Sequence, residues 1–299
     1  MHMIKSDIII GYVILHYFTY DSTVKTIQSI IDHDANAVIV VVDNCSPNGS
    51  GERLKEKFVK QVNIEVLLLK ENLGFAKGNN AGYKMLKEKY NVDYICILNN
   101  DVLILESDMK QKLYNAYRRY GFGILGPRII LRDGSENIFN KNLQPLEYYE
   151  NLLERMQELL DQVKSRSDLS LYFSDKMIKF KQFLSRKIKK GNLDTKINSD
   201  VLLHGCCIFF SPQFISKFDN AFYPGTFLYG EEELLYFKCQ RNGLKSVYYP
   251  YITVQHFEDV ATNSSVNRVK ERLVRKLTNT IASLKIIIET YKDPNALVE

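Results

Sequence analysis

The sequence lacks tryptophan, paired CxxC cysteines and long hydrophobic runs, and these absences narrow the classes of protein to which it can belong. A transmembrane helix needs roughly 18 or more consecutive apolar residues, and no run of that length occurs. The five cysteines are odd in number and lack metal-binding spacing, which argues against a zinc site and favours reduced, buried thiols in a cytosolic protein. No cleavage region follows the first apolar run, Ile8–Leu15, so this run predicts a strand rather than a signal peptide.

The composition is that of a globular protein with a sizeable core. Of the 299 residues, 45% are hydrophobic, and the 19 tyrosines and 16 phenylalanines supply rings for the core and for stacking on bases or sugars. The net charge of +5 is mildly basic, which fits an anionic small ligand or an anionic membrane surface. We expect no nucleic-acid partner.

The first half of the chain alternates apolar strands with amphipathic helices. This alternation predicts parallel βαβ units whose sheet is covered on both faces. The predicted strands are Ile8–Leu15, Ala37–Val42, Ile64–Leu69 and Tyr94–Leu98, and the predicted helices are Asp21–Ile31, Gly49–Lys60, Phe75–Tyr90 and Ser107–Tyr120. Polar residues follow several strands, and parallel strands share one carboxyl edge, so we expect these polar residues to converge on one crevice. They are Tyr17, Asp43, residues 72–80 and residues 99–101.

The string ILNND, residues 97–101, ends the fourth predicted strand in two amides and a carboxylate. A carboxylate in this place lies where open α/β sheets bind ligands, and it is a hard ligand for Mg²⁺ or Mn²⁺. The alternative is a turn that only ends the strand, because Asn and Asp favour turns.

The run ENLGFAKGNNAG, Glu71–Gly82, has three glycines spaced by four residues. It is neither GxGxxG nor a P-loop, but its glycines allow a ligand to approach the backbone and Lys77 adds a positive charge. A glycine-rich loop that caps a helix is the alternative. Asp43 ends the second predicted strand, where an acid often accepts hydrogen bonds from a ribose or a base, although it also suits an Asx turn.

The second half of the chain contributes a cluster of acids. Glu231, Glu232 and Glu233 open a predicted helix after an aromatic, glycine-containing approach. Acids in a first helical turn are favourable through the helix dipole alone, so a purely structural role stays open. Two further strands are predicted, Lys245–Tyr249 and one that ends at VQHF, residues 254–257. His256 in the second is either a metal ligand or a structural histidine.

Six motifs occur in the order found in the inverting glycosyltransferases of family 2, which the chain resembles over roughly residues 6–130 and 203–260. The likeness is greatest to rhamnosyltransferase-like enzymes of bacterial surface polysaccharides. The motifs are VILHYFTYDS, VVVDNCSPNGS, ENLGFAKGNNAG, ILNND, FDNAFYPGTFLYGEEELL and VQHF.

The resemblance implies an α/β fold of the GT-A type, with a Rossmann-like, mostly parallel sheet flanked by helices. It also implies a UDP- or dTDP-sugar donor and a divalent Mn²⁺ or Mg²⁺ ion. By resemblance, Asp101 and His256 are metal ligands, with Asn99 in place of the first acid of the Asp-x-Asp motif, and Glu232 is the general base beside Glu231. The implied donor-binding residues are Tyr17, Asp43, Gly74, Lys77, Asn80, Asn99 and Asn100.

The middle of the chain departs most from the family. Residues 131–200 form a predicted charged helical insertion between a nucleotide-sugar-binding half, 1–130, and an acceptor and catalytic half, 201–262, of one GT-A domain. Residues 263–299 are a predicted C-terminal helical segment, with a helix over Val266–Tyr291. The insertion contains a predicted helix, Leu146–Val163, and a basic amphipathic stretch, Lys176–Lys190, which either lies on an anionic membrane or packs on its own domain.

These observations predict a cytoplasmic glycosyltransferase, peripheral to the inner face of the membrane, that acts on a saccharide acceptor, expected to be lipid-linked. The C-terminal helix is expected to pack on the sheet, to bind the membrane or to pair with a second subunit, which would make a homodimer. Two alternatives stay open. One is a non-catalytic nucleotide-sugar-binding scaffold, which Asn99 and the length of Glu232 leave possible. The other is a sugar nucleotidyltransferase, although HYFTYDS lacks the glycine-rich, basic loop that such enzymes carry after the first strand.

Overall fold

The computed structural model describes residues 8–137, 142–167, 195–257, 269–293 and 295–296. These residues form two compact units. One unit contains all the strands of the described part and most of its helices. The other consists of two long helices and residues 228–230.

The first unit is built on a nine-stranded sheet in the order β3-β2-β1-β4-β8-β6-β9-β5, with β7 paired to β9. The strands are β1 (Ile10–His16), β2 (Val38–Asp43), β3 (Ile64–Leu68), β4 (Tyr94–Asn99), β5 (Val102–Ile104), β6 (Phe122–Leu131), β7 (Asn198–Ser199), β8 (Cys207–Phe210) and β9 (Lys245–His256). Strands β1–β4 pair in parallel, as the alternation of strands and helices predicts. Strand β9 is parallel to β6, whereas β5, β7 and β8 are antiparallel to their neighbours, so the sheet is mostly parallel.

Helices cover both faces of this sheet. In the first unit they are α1 (Tyr20–His33), α2 (Ser50–Phe58), α3 (Gly74–Lys89), α4 (Met109–Tyr120), α6 (Pro212–Lys217) and α7 (Glu231–Arg241). Each end of α1, α2, α3 and α4 lies within two residues of the end predicted from the sequence. None of the helices in the described ranges has the length and hydrophobicity needed to cross a bilayer.

Two hydrophobic clusters lie on opposite faces of the sheet because successive strand residues point to opposite sides. Tyr12 and Ile14 of β1 belong to one cluster, and Val13 belongs to the other. Since both faces are buried, β2 reads as the continuous apolar run VIVVV rather than as an alternating pattern. Short runs of β-branched apolar residues, rather than alternation of apolar and polar residues, therefore predict these strands.

Strand β9 differs from its prediction. Two strands were expected between Lys245 and His256, but a single strand crosses Pro250 with a register shift opposite Pro127 and Arg128 of β6. Proline lacks a backbone N–H, so it is confined in sheets to bulges and edges. The bulge lets the strand run on and carries His256 to the same edge of the sheet as the ends of β1, β2 and β4.

The second unit pairs α5 (Leu146–Ser165) with α8 (Val269–Lys292). Val163, Val269 and Leu277 are buried at their contact, and Lys292 forms an ion pair of 2.6 Å with Glu150. The predicted insertion and the predicted C-terminal segment thus each contribute one helix to this unit. The basic stretch Lys176–Lys190 lies outside the described residues.

Candidate active site

The predicted site residues meet at one edge of the sheet because of strand direction. Parallel strands β1, β2, β4 and β9 all end there, which brings Tyr17, Asp43, Asn99 and His256 to one side. Strand β8 runs the other way, so its beginning lies at this edge and adds the preceding residues 204–206. The strand directions therefore define a crevice bordered by residues far apart in sequence.

Asp101 and His256 form the centre of this edge. The Asp101 Oδ1 atom lies 3.2 Å from His256 Nε2, and both side chains are largely buried. Strand β5 starts directly after Asp101 and pairs with β9 so that Val102 faces His256. The Phe257 N–H also donates to the Asp101 carbonyl at 3.0 Å. The antiparallel pairing of β5 with β9 thus fixes the carboxylate against the imidazole.

This pair fits a divalent cation. Mg²⁺ and similar ions hold ligands at about 2.1 Å in octahedral geometry, which sets adjacent ligands about 3 Å apart, close to the observed separation. The Nδ1 atom of His256 is buried and has no hydrogen-bond partner among the described residues. One carboxylate and one imidazole form a mixed oxygen and nitrogen set, which suits Mn²⁺ at least as well as the oxygen-preferring Mg²⁺.

The loop His204–Cys206 connects this pair to the acidic cluster, and the sequence analysis did not identify it. The Cys206 carbonyl accepts from the Asn99 N–H at 2.8 Å, and the Gly205 N–H donates to Glu232 Oε1 at 3.2 Å. A Cβ at Gly205 would lie 2.7 Å from the same carboxylate oxygen, so glycine permits this approach. The loop therefore fixes Glu232 relative to the end of β4.

His204 lies against His256, with ring centroids 5.9 Å apart. Burial and the neighbouring His256 lower the pKa of His204 to about 4, so its ring is neutral at pH 7. Its Nδ1 accepts from the Cys206 N–H at 3.0 Å, which leaves the ring proton on Nε2. Atoms of His204, Cys206 and His256 that are able to bind a metal lie within 4.8 Å of one another. Because His204 Nδ1 accepts from the Cys206 N–H, its Nε2 atom carries the proton and is a hydrogen-bond donor in this state.

Glu231 and Glu232 open helix α7, as the sequence predicts. Burial, together with the charges of Glu233 and Glu231, raises the pKa of Glu232 from 4.5 to about 7. Glu231 is itself 4% exposed. A carboxylate with this pKa can accept and release a proton near neutral pH, which is the property of a general base.

Tyr17 and Asp43 lie at the ends of β1 and β2. Tyr17 is 39% exposed and packs edge-on against Phe18 at a centroid distance of 4.5 Å. Asp43 is buried, accepts from the Ser46 N–H at 3.2 Å, and leaves no room for a Cβ at Gly51. The Asp43 carboxylate thus bonds the backbone three residues on rather than two, so it braces the loop after β2 without forming the Asx turn that the sequence leaves open, and the exposed ring of Tyr17 lies at the neighbouring strand end.

The glycine-containing run forms the start of α3. Gly74 has φ +78°, and a Cβ there would overlap the Phe227 carbonyl, so the glycine allows close packing of two chain segments. The Asn80 amide bonds to both backbone groups of Phe222, at 2.8 and 2.9 Å. Lys77 is exposed on the same helix. In this structure Gly74 and Asn80 hold the helix to its surroundings, and their role toward a donor stays a prediction.

Asn44 is a further residue that the sequence analysis missed. Its amide accepts from the Leu73 N–H at 2.8 Å and donates to the Gly74 carbonyl at 3.1 Å. It is buried, and it ties the loop after β2 to the start of α3. An asparagine directly after a strand-ending aspartate was the available signal.

The family model of glycosyl transferase family 2 matches residues 12–210, which is 199 of the 299 residues. The chain belongs to this family. The matched range includes Tyr17, Asp43 and Asn99–Asp101 but ends before Glu231, Glu232 and His256. The family match supports a glycosyltransferase, while the roles of those three later residues are proposals.

Solved structures share the GT-A fold. The S. aureus TarS structure of residues 1–349 is 12% identical, with a TM-score of 0.51, and the alignment covers 96% of this chain and 71% of that one. The same TarS fragment in complex with UDP-GlcNAc gives a TM-score of 0.53 at 12% identity, with 96% and 72% covered. GalNAc-T7, crystallised with UDP, GalNAc and Mn²⁺, gives 0.56 at 14% identity, with 91% of this chain and 48% of that chain covered. The glycosyltransferase thus spans about half of the GalNAc-T7 chain. Comparison with curated protein sequences gave no significant match.

Proposed function

We propose that this glycosyltransferase moves a hexose or deoxyhexose from a UDP- or dTDP-sugar to a lipid-linked saccharide acceptor in bacterial surface polysaccharide synthesis, with inversion at the anomeric carbon. The observation that carries the proposal is the Asp101–His256 pair, 3.2 Å apart, linked through the loop His204–Cys206 to a carboxylate whose pKa is about 7. A residue pair suited to a cation and a nearby proton acceptor are two elements that a metal-dependent, inverting sugar transfer uses.

Asp101 and His256 would hold the divalent ion, Mn²⁺ or Mg²⁺. When bound, the ion neutralises charge on the departing nucleoside diphosphate. The Asn99 N–H donates to the Cys206 carbonyl, and the Asn99 side chain is neutral. Of the two proposed metal ligands, only Asp101 therefore brings a formal negative charge to the ion.

Glu232 takes the proton of the acceptor hydroxyl as that oxygen attacks the anomeric carbon. The bond from this carbon to the diphosphate oxygen breaks in the same displacement, the nucleoside diphosphate leaves, and the proton stays on the Glu232 carboxyl. With a pKa near 7, a substantial fraction of Glu232 is ionised and ready to accept at neutral pH. Glu231, buried next to it, would hold the acceptor or the local backbone.

The nucleoside would lie at the ends of β1 and β2. Tyr17 offers an exposed ring for the base, and Asp43 offers a carboxylate for the base or ribose. Lys77 is exposed at the start of α3 and would lie near the phosphates together with Gly74, Asn80, Asn99 and Asn100. UDP is the first nucleotide to test, because TarS was crystallised with UDP and with UDP-GlcNAc.

The cellular setting is proposed from the sequence. The seven basic residues between Lys176 and Lys190 would attract the protein to the anionic inner face of the cell membrane, where a lipid-linked acceptor is found. A homodimer through the C-terminal helix is compatible with the sequence pattern.

The decisive experiment measures release of nucleoside diphosphate by the purified protein from a panel of UDP- and dTDP-sugars, with Mn²⁺ or with EDTA, and with a bacterial membrane extract as acceptor source. We expect metal-dependent release from at least one donor, and anomeric inversion in the product by NMR. Donor binding by calorimetry without any release in the presence of the extract would favour the scaffold alternative. Neither binding nor release across the panel would contradict the proposal.

A further inference from the structure

A chain of hydrogen bonds, buried at its centre, runs from the turn that carries Asp101 to the loop after β2. The Asn100 Nδ2 atom donates to Thr23 Oγ1 at 2.9 Å, and Thr23 Oγ1 lies 2.7 Å from His16 Nδ1. On the other side of the ring, His16 Nε2 lies 2.7 Å from Ser50 Oγ, which donates to Asn48 Oδ1 at 2.7 Å. His16, Thr23 and Ser50 are fully buried. We call these five residues the relay.

The far end of the relay reaches the nucleoside side of the crevice. The Asn48 Nδ2 atom donates to the Phe18 carbonyl at 3.0 Å, and the Ser46 hydroxyl accepts from the Phe18 N–H at 3.0 Å. Phe18 has φ 66°, a left-handed conformation that non-glycine residues rarely adopt and that surrounding bonds must maintain. The relay therefore joins the exposed Tyr17 and Phe18 rings to the Asn99–Asp101 turn.

The direction of the hydrogen bonds can be assigned from the Asn48 end. Because Asn48 donates its amide N–H to a carbonyl, its Oδ1 can only accept, so the Ser50 hydroxyl proton points to Asn48. Ser50 must then accept from His16, which places a proton on His16 Nε2. Burial lowers the pKa of His16, against an opposing effect of Asp43, whose Oδ1 is 3.8 Å from Nε2. A neutral ring has its lone pair on Nδ1, so the Thr23 hydroxyl proton points to His16 at 2.7 Å rather than to the Thr19 carbonyl at 3.1 Å, and Thr23 accepts from Asn100.

Starting from the Asn100 amide, which only donates, Thr23, His16, Ser50 and Asn48 each accept one hydrogen bond and donate the next in one consistent direction. Buried networks of this kind are stiff when complete, because an unmet polar group in a low-dielectric interior is costly. A shift of the Asn100 amide would change the Thr23 hydroxyl and, through the His16 ring, the position of Ser50 and Asn48. Among the described residues, Asp43 is the titratable group that faces the His16 ring, with its Oδ1 3.8 Å from Nε2.

We propose that His16 is a positioning residue that couples the nucleoside loop to the metal-bearing turn, so that nucleoside binding and metal binding strengthen each other without direct contact. This inference rests on the proposed function, because it assumes a nucleoside at Tyr17 and Asp43 and a cation at Asp101. A nucleoside without phosphates cannot ligate the cation through a diphosphate, so any mutual effect between the two must pass through the protein.

The first test concerns the ring itself and does not depend on activity. Long-range ¹H–¹⁵N correlation spectra of ¹⁵N-histidine-labelled protein at pH 7, assigned with a His16→Gln variant, should show His16 as a neutral ring with the proton on Nε2. A proton on Nδ1, or on both nitrogens, would overturn the assigned direction and with it the relay.

The second test measures coupling. Free Mn²⁺ is quantified by electron paramagnetic resonance to give its Kd with and without saturating uridine, and in parallel with thymidine, against protein-free blanks. We expect the nucleoside that binds to tighten Mn²⁺ binding at least about fivefold, in the usual range of coupling between two sites. Thr23→Val should abolish this factor, and Thr23→Ser, which restores the hydroxyl, should retain it.

Thr26→Val is the matched control. Thr26 lies one turn further along α1, is fully buried, and its Oγ1 has no hydrogen-bond partner among the described residues. This variant should keep the parent's coupling factor, and circular dichroism should show that both valine variants are folded.

Three results would overturn the relay: a coupling factor of one in the parent, a parent-like factor in Thr23→Val, or an equal loss in Thr26→Val, which would indicate general packing. Failure of the proposed function gives a different result: the parent then releases no nucleoside diphosphate from any donor, whether or not it binds Mn²⁺ and UDP or dTDP. If the parent binds both and nucleosides leave the Mn²⁺ Kd unchanged, only the coupling is wrong.

Discussion

Replacing Glu232 by glutamine should affect both catalysis and stability, because one buried carboxylate determines both. The variant keeps the size of the side chain. It also keeps an oxygen that can accept from the Gly205 N–H, which lies 3.2 Å from Glu232 Oε1 in the parent. It removes the proton acceptor and the charge. Since a general base typically contributes about 10²–10⁴-fold, sugar transfer should fall by that factor while donor affinity barely changes.

The pH profile gives the first magnitude. With a pKa of about 7, Glu232 is mostly protonated at pH 5, where about 1% remains ionised. The kcat of the parent should therefore rise about tenfold per pH unit below 7 and level off above it. The residual activity of Glu232→Gln should lack this rise.

Stability should change in the opposite sense. The pKa of Glu232 is raised on folding from 4.5 to about 7, so the folded state binds the proton more tightly than the unfolded state. The associated stability is fully present below pH 4.5 and is lost as the pH rises through 7. A shift of this size corresponds to roughly 3 kcal/mol between the two limits. Glutamine cannot ionise, so the variant should equal the parent near pH 4 and be more stable at pH 8.

The assay combines donor and acceptor kinetics from pH 5 to 8.5 with denaturant unfolding of both proteins at pH 4.5 and 8. Glu231→Gln is the control, and we expect it to act through acceptor binding or local structure. Near-parent transfer by Glu232→Gln, with an inactive Glu231→Gln that still binds donor, would exchange the two roles. A stability difference that does not depend on pH would refute the buried, raised-pKa carboxylate.

Three further predictions concern the metal, the loop after β2 and the membrane. Asp101→Ala should stay folded and lose Mn²⁺-dependent UDP binding by calorimetry, and an unchanged metal dependence would remove Asp101 from the site. Asn44→Ala should lower the free energy of unfolding by about 1–3 kcal/mol, because it leaves the Leu73 N–H unmet and removes the side-chain bond to the Gly74 carbonyl. Asn115→Ala on the exposed side of α4 should cost less than about 0.5 kcal/mol. A variant with four basic residues replaced by glutamine should no longer co-sediment with anionic vesicles at low salt, because each basic residue contributes roughly 1 kcal/mol to the binding free energy. Co-sedimentation equal to the parent would contradict the membrane proposal. The four substituted residues are Lys179, Lys181, Arg186 and Lys187.

The sequence by itself determined the strands and helices of the first half and the edge of the sheet at which the candidate site residues lie. Local periodicity and β-branched runs define the βαβ units of the first half, because buried parallel strands need apolar side chains on both faces. Polar residues directly after strands then predict the crevice, since parallel strands end on one side. Asp43, Asp101 and the acids that open α7 follow from such local signals. Their roles toward donor, metal and acceptor stay proposals.

Only the tertiary structure decided how these residues are paired. The antiparallel course of β5 and β8 cannot be inferred from local pattern, yet it brings His256 against Asp101 and His204–Cys206 against Asn99 and Glu232. Burial, which raises the pKa of Glu232, depends on the elements packed around it. His16 reads in sequence as one residue at the end of an apolar strand. It becomes the centre of a polar relay only because α1, α2 and the Asn99–Asp101 turn pack around it and exclude water, so that each hydrogen bond must be satisfied within the protein.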